Sequence, residues 1–149
     1  DLLVNEIGRF DGSKAVGVKE GAIFGAQPGA YILNISADGN WTISVEQPRL
    51  VDALKLPQTL TGRGQSVSPL FTLDSGITTF QMTHDGGSNF AIELLDEEGQ
   101  LVDLLVNEIG RFDGSKAVGV TEGAIFGAQP GTHILNISAD GNWTVTIEQ

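Results

Sequence analysis

The residue types of a hydrolytic triad occur together in one short stretch. His84, Asp85 and Ser88 lie within five positions of one another, and acyl-transfer enzymes combine a serine nucleophile, a histidine base and an orienting aspartate. The stretch has the pattern of a strand end followed by a glycine-rich loop, and that spacing does not make the three side chains converge. We therefore interpret it as a turn, and we predict that the chain has no catalytic residues and is not an enzyme.

Acidic and amide side chains in loops are a second kind of candidate chemistry. Calcium takes oxygen ligands from such loops, and the candidate ligands are Asp85, Asn89 and Asp96. The sequence lacks the alternating acidic pattern with a distal glutamate that marks an EF-hand loop, and aspartate before glycine also suits a tight turn. We expect no cofactor, and calcium at these three residues is the one metal site to consider.

The two tryptophans have two interpretations, sugar binding or core packing. Exposed aromatic rings can stack on sugars, which makes glycans a candidate partner. Trp41, however, alternates with polar residues together with Ile43 and Val45, and Trp143 is in the same position of an equivalent pattern. Period-two alternation is typical of a strand with one buried face. We therefore predict that both tryptophans point into a core.

The charge balance excludes some classes of partner. Lys and Arg total 8 against 19 Asp and Glu, for a formal net charge of −11. Such a surface repels nucleic-acid backbones and anionic membranes. No apolar run approaches the roughly 18 residues of a membrane span, so membrane insertion is not expected. The chain contains no cysteine, which removes disulfides and thiolate metal sites.

Short apolar segments separated by turn residues predict an all-β fold. The chain has twenty glycines, and no window of a dozen residues shows a glycine-free apolar stripe of helical period. Strands are predicted at residues 70–73, 77–84 and 89–95. In the second, Thr78, Phe80, Met82 and His84 alternate with the remaining residues, and in the third, Phe90, Ile92 and Leu94 lie on one side. This pattern predicts an antiparallel β-sandwich, of jelly-roll or Greek-key type, in repeats of about 102 residues.

The repeat is visible directly. Residues 103–149 repeat residues 1–47 with a shift of 102 positions and six differences. The differing pairs are Lys19/Thr121, Ala30/Thr132, Tyr31/His133, Ile43/Val145, Ser44/Thr146 and Val45/Ile147. Near the end of each copy, apolar replaces apolar and hydroxyl replaces hydroxyl, so the alternation is kept. The Tyr31/His133 difference excludes a shared metal ligand, and we interpret that position as a variable surface site.

The domain boundary is predicted to fall between the copies and away from the repeat seam. The junction at residues 102–103 lies inside a strand-rich run, whereas Pro48 follows the first copy with a change of composition. We therefore predict that residues 1–47 are the back half of a β-sandwich and incomplete alone. Residues 48–64 are a linker or lead-in strand, and residues 65–149 are a complete repeat. Within each copy, the ADGN turn predicts a hairpin, in the first copy between residues 31–36 and 41–46.

A half-sandwich leaves strand edges and an apolar face without partners. The predicted assembly interface is the apolar set of the first copy: Leu2, Leu3, Val4, Ile7, Trp41, Ile43 and Val45. Three arrangements could cover it. The missing strands come from a preceding repeat in a tandem array, from another chain by strand complementation, or from the middle of this chain, which leaves the second copy for a neighbour. The expected partner is therefore another copy, as a homo-oligomer, filament or tandem neighbour.

Two motifs carry a resemblance to a known class of protein. They are HDGGSNF at residues 84–90 and ADGNW at residues 37–41 and 139–143. With the segments around them they resemble tandem β-sandwich repeats of secreted or surface-anchored bacterial proteins, such as adhesins and fibres. The resemblance implies an extracellular structural or adhesive module at the cell surface and no enzymatic activity. The alternative function is a carbohydrate-binding module of a secreted protein.

Overall fold

In the part of the chain that the structure describes, nine strands form a sandwich, and all of them lie after the first copy. A computed structural model of the chain describes residues 2–23 and 25–149. After a short 3-10 turn at Leu50–Asp52, the strands are β1 (Gln58–Arg63), β2 (Ser66–Val67), β3 (Phe71–Leu73), β4 (Gly76–His84), β5 (Asn89–Asp96), β6 (Leu101–Ile109), β7 (Phe112–Val120), β8 (Gly131–Ser138) and β9 (Asn142–Glu148).

The strands form two antiparallel sheets. One has the order β1-β9-β4-β7, and the other has the order β2-β8-β5-β6 with β3 also paired to β8. Because β2 and β3 both pair with β8, they act as one interrupted strand. The sandwich therefore has eight strand positions in jelly-roll order. The predicted all-β, antiparallel sandwich is confirmed.

The core lies between the sheets and consists of the alternate residues that the sequence pattern predicts. The large side chains with no exposed surface are Phe71, Leu73, Phe80, Phe90, Ile92, Leu94, Leu135, Ile137, Val145 and Ile147. Each such burial contributes roughly 1.5–3 kcal/mol to folding. Thr78, Phe80, Met82 and His84 share the inner face of β4. This alternation confirms the strand predictions for the middle of the chain.

One prediction about the connections between strands is wrong. The ADGN sequence does not form a hairpin, since β8 lies in one sheet and β9 in the other. It forms an arch between sheets, because β8 pairs with β5 and β9 pairs with β1 and β4. The segment predicted as a linker or lead-in strand, residues 48–64, contributes β1, which pairs with β9 from Gln58 opposite Ile147 to Arg63 opposite Asn142.

Every strand ladder joins one part of the repeat to the other. We call residues 48–102 the front half and residues 103–149 the rear half, and count β6 with the rear half because it begins just before the seam, at Leu101. The seven ladders are β1-β9, β2-β8, β3-β8, β4-β7, β4-β9, β5-β6 and β5-β8. Within residues 48–149, all of which are described, no ladder joins two front strands or two rear strands. Each sheet of this structure is therefore built from strands of both halves.

The first copy demonstrates this dependence. Its described residues, 2–23 and 25–47, contain no strand, and their single β-bridge joins Val18 to Ala26. The nearly identical rear half supplies β6 to β9. The strands predicted in the first copy are therefore absent from its described residues. The one front half pairs with the rear half, and no described strand pairs with the first copy.

Candidate functional site

The joint between the halves is closed by two loops at one end of the sandwich. The loop at residues 85–88 connects β4 to β5, and the loop at residues 139–141 connects β8 to β9. Both loops cross from one sheet to the other, so they meet over the open end of the core. We call residues 84–88 and 139–142 the clamp. It includes most of the two motifs on which the bacterial resemblance rests, one from each half.

Asp85 and Asn142 form the outer part of the clamp. The backbone N–H of Asn142 donates to Asp85 Oδ1 at 2.6 Å, and its side-chain Nδ2 donates to Oδ2 at 2.7 Å. The backbone N–H of Asp85 donates in return to the carbonyl of Asn142 at 3.1 Å. The Asn142 side chain and then its backbone N–H stabilise the charged carboxylate and lower the pKa of Asp85. Charge-assisted hydrogen bonds of this kind are the stronger class.

Asp140 makes the reciprocal contact from the rear half. Its Oδ2 accepts the backbone N–H groups of Gly87 at 3.1 Å and Ser88 at 3.0 Å. Its Oδ1 lies 3.2 Å from His84 Nε2. Partial desolvation raises the pKa of Asp140, but the N–H groups of Ser88 and Gly87 outweigh it, and the net pKa is lowered. Each half thus supplies an aspartate that caps the other half's loop.

His84 is the buried centre of the clamp. Its side chain has no exposed surface, and its ring stacks on Phe90 with centroids 4.5 Å apart and planes inclined by 8°. Nδ1 lies 2.8 Å from the Gly110 carbonyl and therefore carries the proton. Nε2 accepts the Gly141 N–H at 3.3 Å. Both ring nitrogens therefore have protein partners, and the buried ring joins the turn at Gly110 to the loop at Gly141.

The triad residues are close together, but they do not form a triad. Ser88 contacts the clamp through its backbone N–H, which Asp140 accepts. Asp85 faces Asn142 through both carboxylate oxygens. The arrangement matches the predicted turn, and the absence of enzymatic activity stays a prediction.

Two glycines let the loops approach this closely. A Cβ at Gly141 would lie 2.4 Å from the Gly86 nitrogen, and one at Gly86 would lie 2.0 Å from Asp140 Oδ1. Gly39 occupies the position of Gly141 in the first copy, and a Cβ there would have no neighbour within 4 Å. The same glycine is therefore essential for packing in the rear half and unconstrained in the first copy.

The clamp aspartates predict a stability that falls in acid. A carboxylate whose folded pKa lies below its ordinary value of 3.8 stabilises the fold above that pH, and the contribution is lost as the pH falls below it. We expect Asp140→Asn to lower the thermal unfolding midpoint at pH 7 and to have little effect well below pH 3.8. Circular dichroism melts across this range measure the difference.

Asp38 is the matched control, because it occupies the position of Asp140 in the exposed first copy. Asp38→Asn should leave the midpoint unchanged at every pH. Equal effects of the two substitutions would mean that the clamp carboxylate contributes nothing specific.

The three calcium candidates do not come together. Asp85 and Asn89 lie near the start of β5, and Asp96 ends that strand. An eight-residue strand separates its ends by about 23 Å. Asp96 Oδ1 instead accepts the backbone N–H groups of Glu98 at 3.0 Å and Gln100 at 2.8 Å. Among the described residues no group of three or more His, Asp or Glu side chains is placed to hold a metal, so one ion cannot bind all three candidates.

The predicted assembly residues separate into two groups when compared with their counterparts in the rear half. Leu3, Val4, Trp41, Ile43 and Val45 correspond to the buried residues Leu105, Val106, Trp143, Val145 and Ile147. Leu2 and Ile7 correspond to Leu104 and Ile109, which are exposed even in the complete sandwich. The first five therefore mark an unused core face, and the other two are surface residues in either setting.

The two tryptophans differ in solvent exposure between the copies. Trp143 is 5% exposed, whereas Trp41 is 58% exposed. Trp143 also packs over Gly62, its partner on β1, and donates from Nε1 to the Gly64 carbonyl at 3.1 Å. The predicted core position is confirmed for Trp143. For Trp41 it is wrong in this chain, because the first copy has no β1 strand to cover it.

The interpretation of position 31/133 as a surface site is wrong for the rear half. His133 is buried and stacks on Phe71 with centroids 6.4 Å apart. Burial lowers the pKa of His133. Tyr31, its counterpart, is exposed. Sequence alternation could have identified the buried position, since residue 133 shares the inner face of β8 with Leu135 and Ile137.

Comparisons with known proteins find structural likenesses among solved structures. No protein-family model and no curated protein matches the chain. Among solved structures it is similar to the pre-peptidase C-terminal domain of a collagenase from Bacillus anthracis. The TM-score is 0.47 and the sequence identity 14%, with 65% of this chain and 93% of that chain covered. Among the described residues, no helix has both the length and the apolar character needed to cross a membrane.

Proposed function

We propose that this chain is a section of a structural or adhesive repeat protein of the cell surface. Its module is a jelly roll assembled from a front half and a rear half, and the modules follow one another head to tail in a tandem array or fibre. Residues 1–47 are the rear half of a neighbouring module. A front half from a preceding repeat or from another chain completes them.

The observation that carries the proposal is the front-to-rear pairing of every ladder. Because the front strands pair only with rear strands within residues 48–149, one front half takes up one rear half. This chain holds two rear-half sequences and one front half. The surplus rear half leaves Trp41 and Val45 exposed, whereas their counterparts Trp143 and Ile147 are buried. An apolar face of this kind is typical of an interaction surface.

The differences between the copies support the same proposal. Rear-half Val145 and Ile147 are fully buried neighbours on the inner face of β9. The first copy has Ile43 and Val45 at these positions, so isoleucine and valine exchange places and the combined volume is kept. Cores tolerate volume-conserving exchanges best. The first copy thus keeps the side chains of a rear half that packs into a core.

A two-module chain tests the proposal. A second front half, residues 48–102, is placed ahead of residue 1, and Trp143→Phe leaves Trp41 as the only tryptophan. We expect the Trp41 fluorescence to shift to shorter wavelength and acrylamide quenching to decrease, because an added β1 strand covers the indole. The strand signal in far-UV circular dichroism should also rise.

The matched control carries Phe90→Ala at the corresponding position of the added front half, which removes a core side chain without shortening the chain. Trp41 should then stay accessible to quencher. If Trp41 remains solvent-exposed with an intact second front half, the first copy is not a rear half and the proposal fails.

A further inference from the structure

We infer that the first copy is a second, competing partner for this chain's own front half, so that one sequence can form two circularly permuted sandwiches. In the observed arrangement, the front half pairs with the rear half that follows it. In the alternative arrangement it pairs with the first copy, which precedes it. This inference rests on the proposed function only in treating residues 1–47 as a competent rear half.

The strand register makes the alternative connection short. Gln58 at the start of β1 lies opposite Ile147 near the end of β9, and neighbouring strands are about 4.8 Å apart. Val45 is the first-copy counterpart of Ile147. Residues 46–57 would therefore join two adjacent antiparallel strands, and an extended segment of that length reaches about 40 Å. Chain ends that lie side by side are the condition under which circular permutation is tolerated.

The first copy contains what the clamp needs. Asp38, Gly39 and Asn40 repeat the residues of the rear-half clamp, Asp140, Gly141 and Asn142. The same carboxylate, the same absence of a Cβ and the same amide are therefore available to the loop at residues 85–88. In the observed arrangement, a Cβ at Gly39 would have no neighbour within 4 Å, so this turn is open to the loop at residues 85–88.

Local geometry is already shared between the copies. The backbone N–H of Lys19 donates to the Ala26 carbonyl at 3.0 Å, and its rear-half equivalent runs from Thr121 to Ala128 at 3.0 Å. The ammonium of Lys14 donates to the Leu2 carbonyl at 2.8 Å, as that of Lys116 does to Leu104 at 2.8 Å. Contacts that depend on nearby sequence thus form in both copies, and the interstrand ladders are what the first copy lacks.

The core differences between the two rear halves are conservative. The first copy has Ile43 and Val45 where the rear half has Val145 and Ile147, so the combined side-chain volume is the same. Tyr31 in place of His133 keeps an aromatic ring at the position that stacks on Phe71. The observed arrangement has the advantage of the tight β5-β6 turn, in which the Gly99 N–H donates to the Asp96 carbonyl at 2.9 Å. A defect in the rear half should therefore transfer the front half to the first copy.

Two glycine substitutions test the exchange in the complete 149-residue chain. All variants carry Trp143→Phe, so that Trp41 reports on the first copy alone. Gly141→Ala blocks the rear-half clamp, and we expect Trp41 to become buried, with a shift of its emission to shorter wavelength and retention of the strand signal. Gly39→Ala alone should change nothing. The two together should expose Trp41 again and abolish the strand signal.

The outcome is decided by the dependence of one substitution on the other. Two results would overturn the inference. The first is a Trp41 that stays exposed in the Gly141→Ala chain. The second is an effect of Gly39→Ala on the Trp41 emission that is equally small whether or not Gly141→Ala is present. The emission shift must also survive hundredfold dilution. A shift that is lost on dilution would place the first copy in another molecule's front half and contradict exchange within one chain.

A failure of this inference can be distinguished from a failure of the proposed function. If the two-module chain buries Trp41 but the Gly141→Ala chain does not, the first copy is a rear half that cannot use the front half that follows it. If neither chain buries Trp41, both proposals are wrong.

Discussion

Replacing Phe90 with alanine is expected to lower the free energy of unfolding by about 3–5 kcal/mol, the usual loss for a fully buried phenylalanine. Phe90 has no exposed surface. Its ring stacks on that of His84, with centroids 4.5 Å apart, and the centroid of the Phe112 ring lies 5.8 Å away. Phe90 therefore links the core to the clamp. Because the chain has only one front half, neither rear-half sequence can compensate. A loss of this size is a large share of the stability of a typical domain.

Urea denaturation followed by circular dichroism measures the change, and Phe126→Ala is the control. Phe126 lies between β7 and β8 and is 92% exposed, so its removal should change stability by less than about 0.5 kcal/mol. If Phe90→Ala prevents folding, Phe90→Leu gives a smaller and measurable loss in the same direction. Equal unfolding midpoints for Phe90→Ala and Phe126→Ala would contradict the described core.

The parts of the fold that the sequence predicts are those encoded by neighbouring residues. Alternation along β4, β5 and β9 identifies Phe80, Ile92 and Val145 as inward-facing because the side-chain period of a strand is two. That the seam at residues 102–103 lies inside a strand is also predictable, since residues 101–109 contain no glycine or proline. Each of these features is decided within a few positions along the chain.

The features that sequence reasoning misses depend on distant partners. The sequence leaves residues 48–64 open between a linker and a lead-in strand because Leu60 is the only large apolar residue of β1, QTLTGR. The strand forms by pairing with β9. The ADGN turn resembles a hairpin because its residues encode a chain reversal but not the sheet that each flanking strand joins. Likewise, both clamp motifs are visible in the sequence, but the contact between Asp85 and Asn142 spans 57 positions.

The two copies separate local from distant effects in one molecule. Val18 and Ala26 form the same bridge as their counterparts Val120 and Ala128, although among the described residues of the two copies only the second contains strands. Turn chemistry is therefore sufficient for the loop. Strands need a partner with free hydrogen-bonding groups, and here the availability of the front half decides which copy becomes a sheet.

The same reasoning predicts that neither half folds when the chain is divided. A cut between Glu98 and Gly99, in the turn before β6, gives fragments 48–98 and 99–149 with every strand intact. We expect each fragment alone to lack a stable sheet, because all seven ladders cross between them and isolated strands are at best marginally stable in water. Mixing the fragments should restore the strand signal and the short-wavelength emission of Trp143.

Gly141→Ala in the rear fragment is the control for this complementation, since a Cβ there would meet the Gly86 nitrogen at 2.4 Å and prevent the clamp from closing. That variant should complement much more weakly than the unmodified fragment. A front fragment that unfolds cooperatively by itself would contradict the obligatory pairing of the halves, because it would need ladders between front strands. Complementation by residues 1–47 as well would mean that the six differences between the copies leave the rear-half fold intact, and that the first copy lacks strands in this chain solely because its partner is occupied.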